Sequence, residues 1–227
     1  MDIVYLDFQK AFDKVPHQGF LCKVSCHGIR GKVLSWIGNW LKDWKQRVGI
    51  NGQFSEWRDV NSDVPQGSVL GPVLFNMFIN DLEKGVNSEV AKFADDTKLL
   101  KIAKTQADYE ELQKDLSKLG DWATKWQMKF IVDKCKVMHI GKHNPNYAYK
   151  MTGSKLAVTT KEKDLGVIVG SSLKTSTQCA ATVKKANRMM GIIKKGIDNR
   201  TENIMLPLYK SMYAHILNTM CRCGRPI

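Results

Sequence analysis

Signals for β-hairpins and signals for helices alternate along this chain, and that alternation restricts the folds open to it. The first eight residues, Met1 to Phe8, alternate in polarity and are rich in β-formers, so they read as a strand. Phe8 to Val15 leaves strand spacing, and Pro16 punctuates the chain. Phe20 to Trp44 is helical in pattern, with Val33, Ile37, Leu41 and Trp44 on one stripe, and Gly28 and Gly31 divide it into two helices. Arg47 to Val60 predicts a hairpin, because Asn51-Gly52 is a strong two-residue turn signal between alternating segments. An apolar helix follows within Val64 to Leu82, and a second hairpin is expected over Glu89 to Ile102 with Asp95-Asp96 at its tip. Leu112, Leu116, Leu119, Ala123 and Trp126 recur at helical steps, which predicts a long amphipathic helix. Phe130 to Ile140 is strand-like, Asn144-Pro145-Asn146 is a turn, and Lys155 to Val169 holds two short strands. Hairpins mixed with helices predict an α+β fold, an antiparallel sheet backed by helices rather than a doubly wound parallel sheet.

After Ser171 the chain turns helical and basic, with Asp198 and Glu202 its only acids, so a domain boundary is expected near residue 170. The formal charge is +13, which favours a polyanionic partner without specifying a fold. With hydrophobic residues at 43%, composition allows a packed core. No apolar run approaches the roughly 18 residues of a membrane span, and Asp2 and Asp7 stand where a secretory signal needs basic residues. An intracellular protein, nuclear or cytoplasmic, is therefore expected. Neither Cys22/Cys26 nor Cys221/Cys223 has zinc-finger spacing, which argues for reduced thiols.

Two acidic sites carry the candidate chemistry: Asp7 at the end of the opening strand, and Asp95-Asp96 in the second hairpin. Antiparallel pairing of their strands would set them side by side. Two carboxylates about 4 Å apart repel by roughly 4 kcal/mol at an effective dielectric near 20, so such a cluster needs a cation or a proton. Hard oxygen ligands suit Mg²⁺, and two such ions can stabilise the attacking and leaving oxygens of a displacement at phosphorus. Taken alone, an Asp-Asp pair is also ordinary turn chemistry.

The motifs together resemble the reverse transcriptase family, nearest to the LINE-type non-LTR elements of the jockey and chicken-repeat groups. Val4-Tyr5-Leu6-Asp7-Phe8-Gln9-Lys10-Ala11-Phe12-Asp13 is similar to the first catalytic motif, Val64-Pro65-Gln66-Gly67-Ser68-Val69-Leu70-Gly71-Pro72 to the second, and Phe93-Ala94-Asp95-Asp96 to the third. Leu112 to Lys134, with Trp122 and Trp126, is similar to the fourth, and Glu162-Lys163-Asp164-Leu165-Gly166 to the primer grip. The resemblance runs over residues 2 to 212. It implies a polymerase palm over residues 1–170 with partial fingers, followed by a basic, helical partial thumb over 171–227. It implies that Asp7, Asp95 and Asp96 hold two Mg²⁺ ions, with Mn²⁺ as a substitute, and that Lys134 acts near the pyrophosphate as a general acid. Phe8 and Phe12 would lie at the substrate, Phe12 excluding a 2′-hydroxyl. Pro65, Gln66 and Gly67 would form a floor beneath nucleotide and template, Gly67 by letting the backbone approach closely. Lys184, Lys185, Arg188, Lys194 and Lys195 would track phosphates. The implied partners are an RNA template, a DNA primer and deoxynucleoside triphosphates, with no membrane.

The chain departs from the family in places. It starts almost at the catalytic strand, where finger strands normally precede, so a truncated copy is expected. Asp63 stands where the group usually has Gly, Ile131 where it often has Asn, and Tyr213 to Ile227 does not continue the pattern. The alternative function is a catalytically inactive remnant that still binds nucleic acid.

Overall fold

The structure, a computed structural model, describes residues 1–60, 62–65, 67–198 and 201–214. The chain divides into two compact units, one of residues 1–139 with 143–158, the other of 140–142 with the residues from 159 onward. The boundary expected near residue 170 therefore lies inside the second unit, at the end of its hairpin.

In the first unit, β1 (Asp2–Leu6) is followed by α1 (His17–Cys26) and α2 (Gly31–Trp40). Two nested short ladders come next, β2 (Lys45–Gln46) with β5 (Arg58–Asp59) around β3 (Gly49–Ile50) with β4 (Gln53–Phe54). Then follow α3 (Leu70–Ile79), the hairpin of β6 (Glu89–Phe93) and β7 (Asp96–Lys101), α4 (Gln106–Lys125) and β8 (Lys136–His139). The unit closes with β9 (Lys150–Met151), β10 (Ser154–Lys155) and β11 (Ala157–Val158). The central sheet has five strands in the order β11-β8-β1-β7-β6. Its pairings are antiparallel except that of β11 with β8. This is the α+β palm-like arrangement that interleaved hairpins and helices predict.

The opening strand lies in the middle of the sheet because both of its edges find partners, β7 on one side and β8 on the other. Val4 and Leu6, at alternate positions, enter one core cluster with Leu99, Val137, Leu74, Phe75 and Phe78. The stripe on α4 joins the same cluster, with Leu112, Leu116 and Leu119 fully buried. Burying each such side chain contributes about 1.5–3 kcal/mol. A capping box of Thr105 and Asp108 starts α4, as the residue types at these positions dictate. Asn51 and Gly52 turn the β3–β4 hairpin with φ of 50° and 81°, the conformation that Asn-Gly supplies at little cost.

The strand expected over 130–140 is shorter than its pattern. Residues 132–134 form a turn, with Lys134 and Cys135 both donating backbone N–H to the carbonyl of Ile131, and only Lys136–His139 joins the sheet. This turn sets the position of Lys134.

Buried polar groups tie the elements together. Lys23 of α1 donates to the carbonyl of Phe78 and pairs with Asp81, and its ammonium lies 3.9 Å from the Trp126 ring centroid and 4.2 Å from that of Trp122. Burial lowers its pKa to about 8 despite Asp81. At the far end of β1, the fully buried Asp2 accepts from Tyr149 at 2.6 Å and Asn144 at 2.6 Å and pairs with His139 at 2.9 Å. Burial, then the bond to Asp2, pushes the Tyr149 hydroxyl well above its usual range. Asp115 of α4 accepts from the backbone of Asn87 and Ser88, from the Ser88 hydroxyl and from Lys118, and so anchors the start of β6. Burial pushes its pKa up, but those donors outweigh it and hold the carboxyl below the usual range. Its stabilisation is therefore present above the ordinary carboxylate pKa and lost as pH falls through the depressed one.

In the second unit, β12 (Lys161–Asp164) and β13 (Val167–Gly170) form a hairpin that packs against α5 (Ser176–Gly196), and α6 (Glu202–Leu208) follows. The segment Tyr213–Ile227, expected to diverge, lies outside the described residues beyond Ala214.

Asp115→Ala, which strips the acceptor from four donors, is expected to cost roughly 3 kcal/mol in a denaturant titration, and Asp115→Asn distinctly less.

Candidate active site

The pleat of β1 sends Val4, Leu6 and Phe8 to the helix-backed side and Asp7 to the other. β1 and β7 pair as far as Leu6 opposite Thr97, and Asp7 and Asp96 are the next residue outward on each chain segment. Asp95 occupies the turn just beyond, between Phe93 and Asp96, which are themselves paired. Ala94, the other turn residue, has φ of 53°, a left-handed conformation that strains a residue with a Cβ. The backbone of Asp7 is held rigidly: its carbonyl accepts from Ile131 N at 2.8 Å, and Gln9 N donates to Lys129 O at 2.7 Å. Lys92 reaches the carbonyl of Asn80 at 3.1 Å and the carboxylate of Glu83 at 3.3 Å, which ties the β6–β7 hairpin to the C-terminal end of α3.

The countercharge at Asp7 is Lys134, 3.3 Å away, with both side chains substantially exposed. The resemblance implies a place near the pyrophosphate for this lysine, and the structure pairs it directly with Asp7. Among the described residues no three His, Cys, Asp or Glu side chains are grouped so as to hold a metal ion. The three carboxylates thus fit a hard divalent cation in chemical kind and in sharing one end of one strand pair, while their side chains do not form a closed ligand set.

Beside the acids, the segment after β1 is joined to the segment before α3. Val64 N donates to Phe12 O at 3.0 Å, Pro16 bridges Ser62, and the Ser62 hydroxyl donates to Asp13 O at 2.9 Å. Phe12 is half-buried and stacked on Phe75 of α3 with centroids 4.3 Å apart, so one face of its ring is fixed. Phe8 takes a different place: it is 2% exposed and stacks on Phe130 at 4.2 Å, in the core and not at a surface where substrate could touch it. The alternation of β1 runs on past Leu6 and carries Phe8 inward.

Pro65 leads into the loop, and Gly67 has φ of +86° with nothing near the place of a Cβ. Its need for glycine is conformational, and a tight approach within the chain occurs at Gly71. A Cβ on Gly71 would come within 2.6 Å of the Pro65 carbonyl oxygen. The Ser68 hydroxyl accepts from Gly71 N at 2.9 Å and lies 3.3 Å from that same carbonyl, closing the entry to α3. Gly71 was legible in the string Gly67-Ser68-Val69-Leu70-Gly71-Pro72 as a second glycine with no turn to explain it. Gln66 lies outside the described residues.

Asp63 is a misfit. Among the described residues, one of its carboxylate oxygens is buried without a hydrogen-bond partner, and burial, then the charge of Asp13, raises its pKa. His17 Nε2 lies 2.9 Å from the Asp63 backbone carbonyl oxygen.

In the second unit, Lys184, Lys185, Arg188, Lys194 and Lys195 are all exposed on α5, whose buried residues are Ala186 and Ile193.

The family model described as "Reverse transcriptase (RNA-dependent DNA polymerase)" matches residues 3–191. The chain belongs to the reverse transcriptase family. The polymerase of the mobile element jockey from Drosophila melanogaster is 32% identical over 140 residues, 58% of this chain and 15% of that protein. Its counterpart from Drosophila funebris is 31% identical over 179 residues, 74% of this chain and 19% of that protein. A probable RNA-directed DNA polymerase from transposon BS of Drosophila melanogaster is 26% identical over 231 residues, 93% of this chain and 24% of that protein. These relatives set the chain among reverse transcriptases of LINE-type elements, of which it spans about a fifth of the length. Among solved structures, apo telomerase from Candida tropicalis superimposes with a TM-score of 0.54 at 11% identity, covering 97% of this chain and 41% of that one. A form of that telomerase truncated from its C-terminal domain gives 0.51 at 9% identity, covering 77% and 34%. At such identities the likeness is one of fold, and it agrees with a polymerase palm. Among the described residues of this reverse transcriptase chain, no helix is long and apolar enough to cross a membrane.

Two substitutions test the local geometry. Gly71→Ala forces its methyl group against backbone and is expected to destabilise the fold by about 1–3 kcal/mol, read as a lowered Tm. Asp63 has a raised folded pKa, so its stabilisation is complete below the ordinary value of 3.8 and is lost as pH rises through the raised one. Asp63→Asn is expected to remove that loss, so that the variant gains stability over wild type between pH 4 and 7 and gains nothing in more acid solution.

Proposed function

We propose that this chain carries the nucleotidyl-transfer centre of an RNA-directed DNA polymerase. The primer 3′-hydroxyl attacks the α-phosphate of a deoxynucleoside triphosphate, and pyrophosphate leaves. The observation that supports the reading most directly is the β1–β7 ladder, whose last pair, Leu6 with Thr97, immediately precedes Asp7 on one strand and follows Asp95-Asp96 on the other.

Asp7, Asp95 and Asp96 are the residues that would hold two Mg²⁺ ions, or Mn²⁺ in their place. When bound, the ions supply charge stabilisation at the attacking and leaving oxygens. Lys134, paired with Asp7 here, donates a proton to the departing pyrophosphate. Phe12, backed by Phe75, lies beneath the sugar and offers bulk without a hydrogen bond, so a 2′-hydroxyl is excluded. Pro65, Gln66 and Gly67 support the incoming nucleotide and the template base. RNA template and DNA primer are held by backbone and shape, since base pairing reads the sequence. Residues 1–170 serve as palm with partial fingers and 171–227 as partial thumb, with the basic face of α5 tracking phosphates. The reaction takes place inside the cell, in nucleus or cytoplasm, where RNA templates are found.

Primer extension on a primed RNA template tests this. Wild type is expected to incorporate deoxynucleotides only with a divalent cation, Asp95→Ala to lose at least about a hundredfold in rate, and Lys134→Ala about ten- to a hundredfold. Incorporation that survives Asp95→Ala would sink the mechanism. Salt-sensitive binding of the RNA–DNA hybrid without any incorporation would establish the inactive binding remnant instead.

A further inference from the structure

Away from the carboxylates, the first unit has a hollow of about 750 Å³ lined by Lys14, Lys42 and Lys125 together with Gln18, Trp126 and Gln127. None of the residues assigned above to catalysis or to the nucleotide floor lines it. Its three lysines come from three separate parts of the chain. Lys14 ends the short helical turn after β1, Lys42 follows α2, and Lys125 is the last residue of α4. No Asp or Glu lines the hollow. None of the three ammonium groups pairs with a carboxylate among the described residues. On a protein surface that mixes lysine with acid elsewhere, a concave site walled by three lysines with no salt-bridge partner among the described residues favours an anionic ligand. Its field is felt next door, where Lys125 opposes the charge on the buried Lys23.

We propose that this hollow binds the sugar-phosphate backbone of a nucleic-acid strand, as a contact separate from the polymerase centre. Its volume falls in the range of sites that hold a whole small ligand, so it exceeds the needs of one phosphate group. Lysines act as compact point charges on flexible stems, which suits successive phosphates of a strand better than the fixed donor fork that grips a single anion. Trp126 lines the hollow as a partly buried ring, packed so closely by Gly19 that a Cβ there would come within 3.2 Å of it. Trp126 thus offers an apolar wall for a sugar beside the charged groups. The binding free energy would come mainly from released counterions, which makes salt dependence the decisive readout.

The test measures binding of a mixed-sequence single-stranded oligonucleotide over a salt series. It compares wild type with the triple variant Lys14→Glu/Lys42→Glu/Lys125→Glu. A control, Lys32→Glu/Lys84→Glu/Lys114→Glu, makes the same change of net charge at exposed positions elsewhere. The hollow variant is expected to flatten the slope of log K against log salt by about 2, at roughly 0.7 per phosphate contact on a single strand, with the control close to wild type. The milder Lys→Gln triple at the same three positions is expected to flatten it in the same direction, which guards against a charge-reversed variant that fails to fold. An unchanged slope in the folded hollow variant, or equal flattening in the control, overturns the proposal. Tripolyphosphate that displaces the strand at matched phosphate concentration overturns the strand assignment in favour of a free polyphosphate. Because the readout is binding, it stands apart from the polymerase reading: primer extension can fail while the slope still changes, and the slope can stay fixed while Asp95→Ala still abolishes incorporation.

Discussion

The antiparallel ladder between β1 and β7 is the constraint on which the first unit depends. It gives the opening strand its central place in the sheet, and one set of pairings does two jobs. Toward the helices it aligns Val4 with Leu99 and Leu6 with Thr97, where burial drives the pairing. On the other side the same register aligns Asp7 with the turn that carries Asp95 and Asp96. Because side chains alternate with a period of two, a slip of one residue would turn Asp7 into the core and Leu6 to solvent. The apolar burial that stabilises the sheet therefore also specifies where the acids meet, and the chemistry inherits its geometry from the core.

That arrangement concentrates negative charge, and the neighbourhood answers it with lysines on short leashes. Lys134 stands over Asp7 from a turn whose shape follows from backbone hydrogen bonds to Ile131, and Lys92 draws the hairpin onto the end of α3. Elsewhere, buried carboxylates are supplied with donors in full, as at Asp2 and Asp115. Asp63 breaks this rule, with a buried oxygen that has no partner beside the loop that leads to Pro65 and Gly67. The hollow walled by Lys14, Lys42 and Lys125 is the converse case, cations without a salt-bridge partner among the described residues.

Much of the secondary structure was legible because local chemistry and tertiary demand agree. Asn51-Gly52 turns a hairpin wherever it lies between alternating segments, and Thr105 with Asp108 caps a helix by itself. Gly28 and Gly31 separate α1 from α2 as their positions imply. Disagreement arose where a partner decides. The apolar stretch from Phe130 reads as one strand, yet the carbonyl of Ile131 collects two backbone donors and bends the chain before β8 begins. Phe8 reads as a neighbour of the catalytic acid and is one in sequence, but the pleat directs it to Phe130 in the core.

What the sequence by itself determined is the kind of chain this is: the acids, their motifs, the order of hairpins and helices, and so the family and the palm-like fold. These follow from residue types at fixed local spacings, which survive without knowledge of any distant contact. Only the tertiary structure decided that β1 and β7 end side by side just before Asp7 and Asp96, that Lys134 is the countercharge of Asp7, that Gly71 makes room for the Pro65 carbonyl, and that three lysines from distant segments share one hollow. Each of these depends on which segments lie side by side, and long-range pairing is selected by burial of the whole core, a quantity that no short stretch of sequence carries.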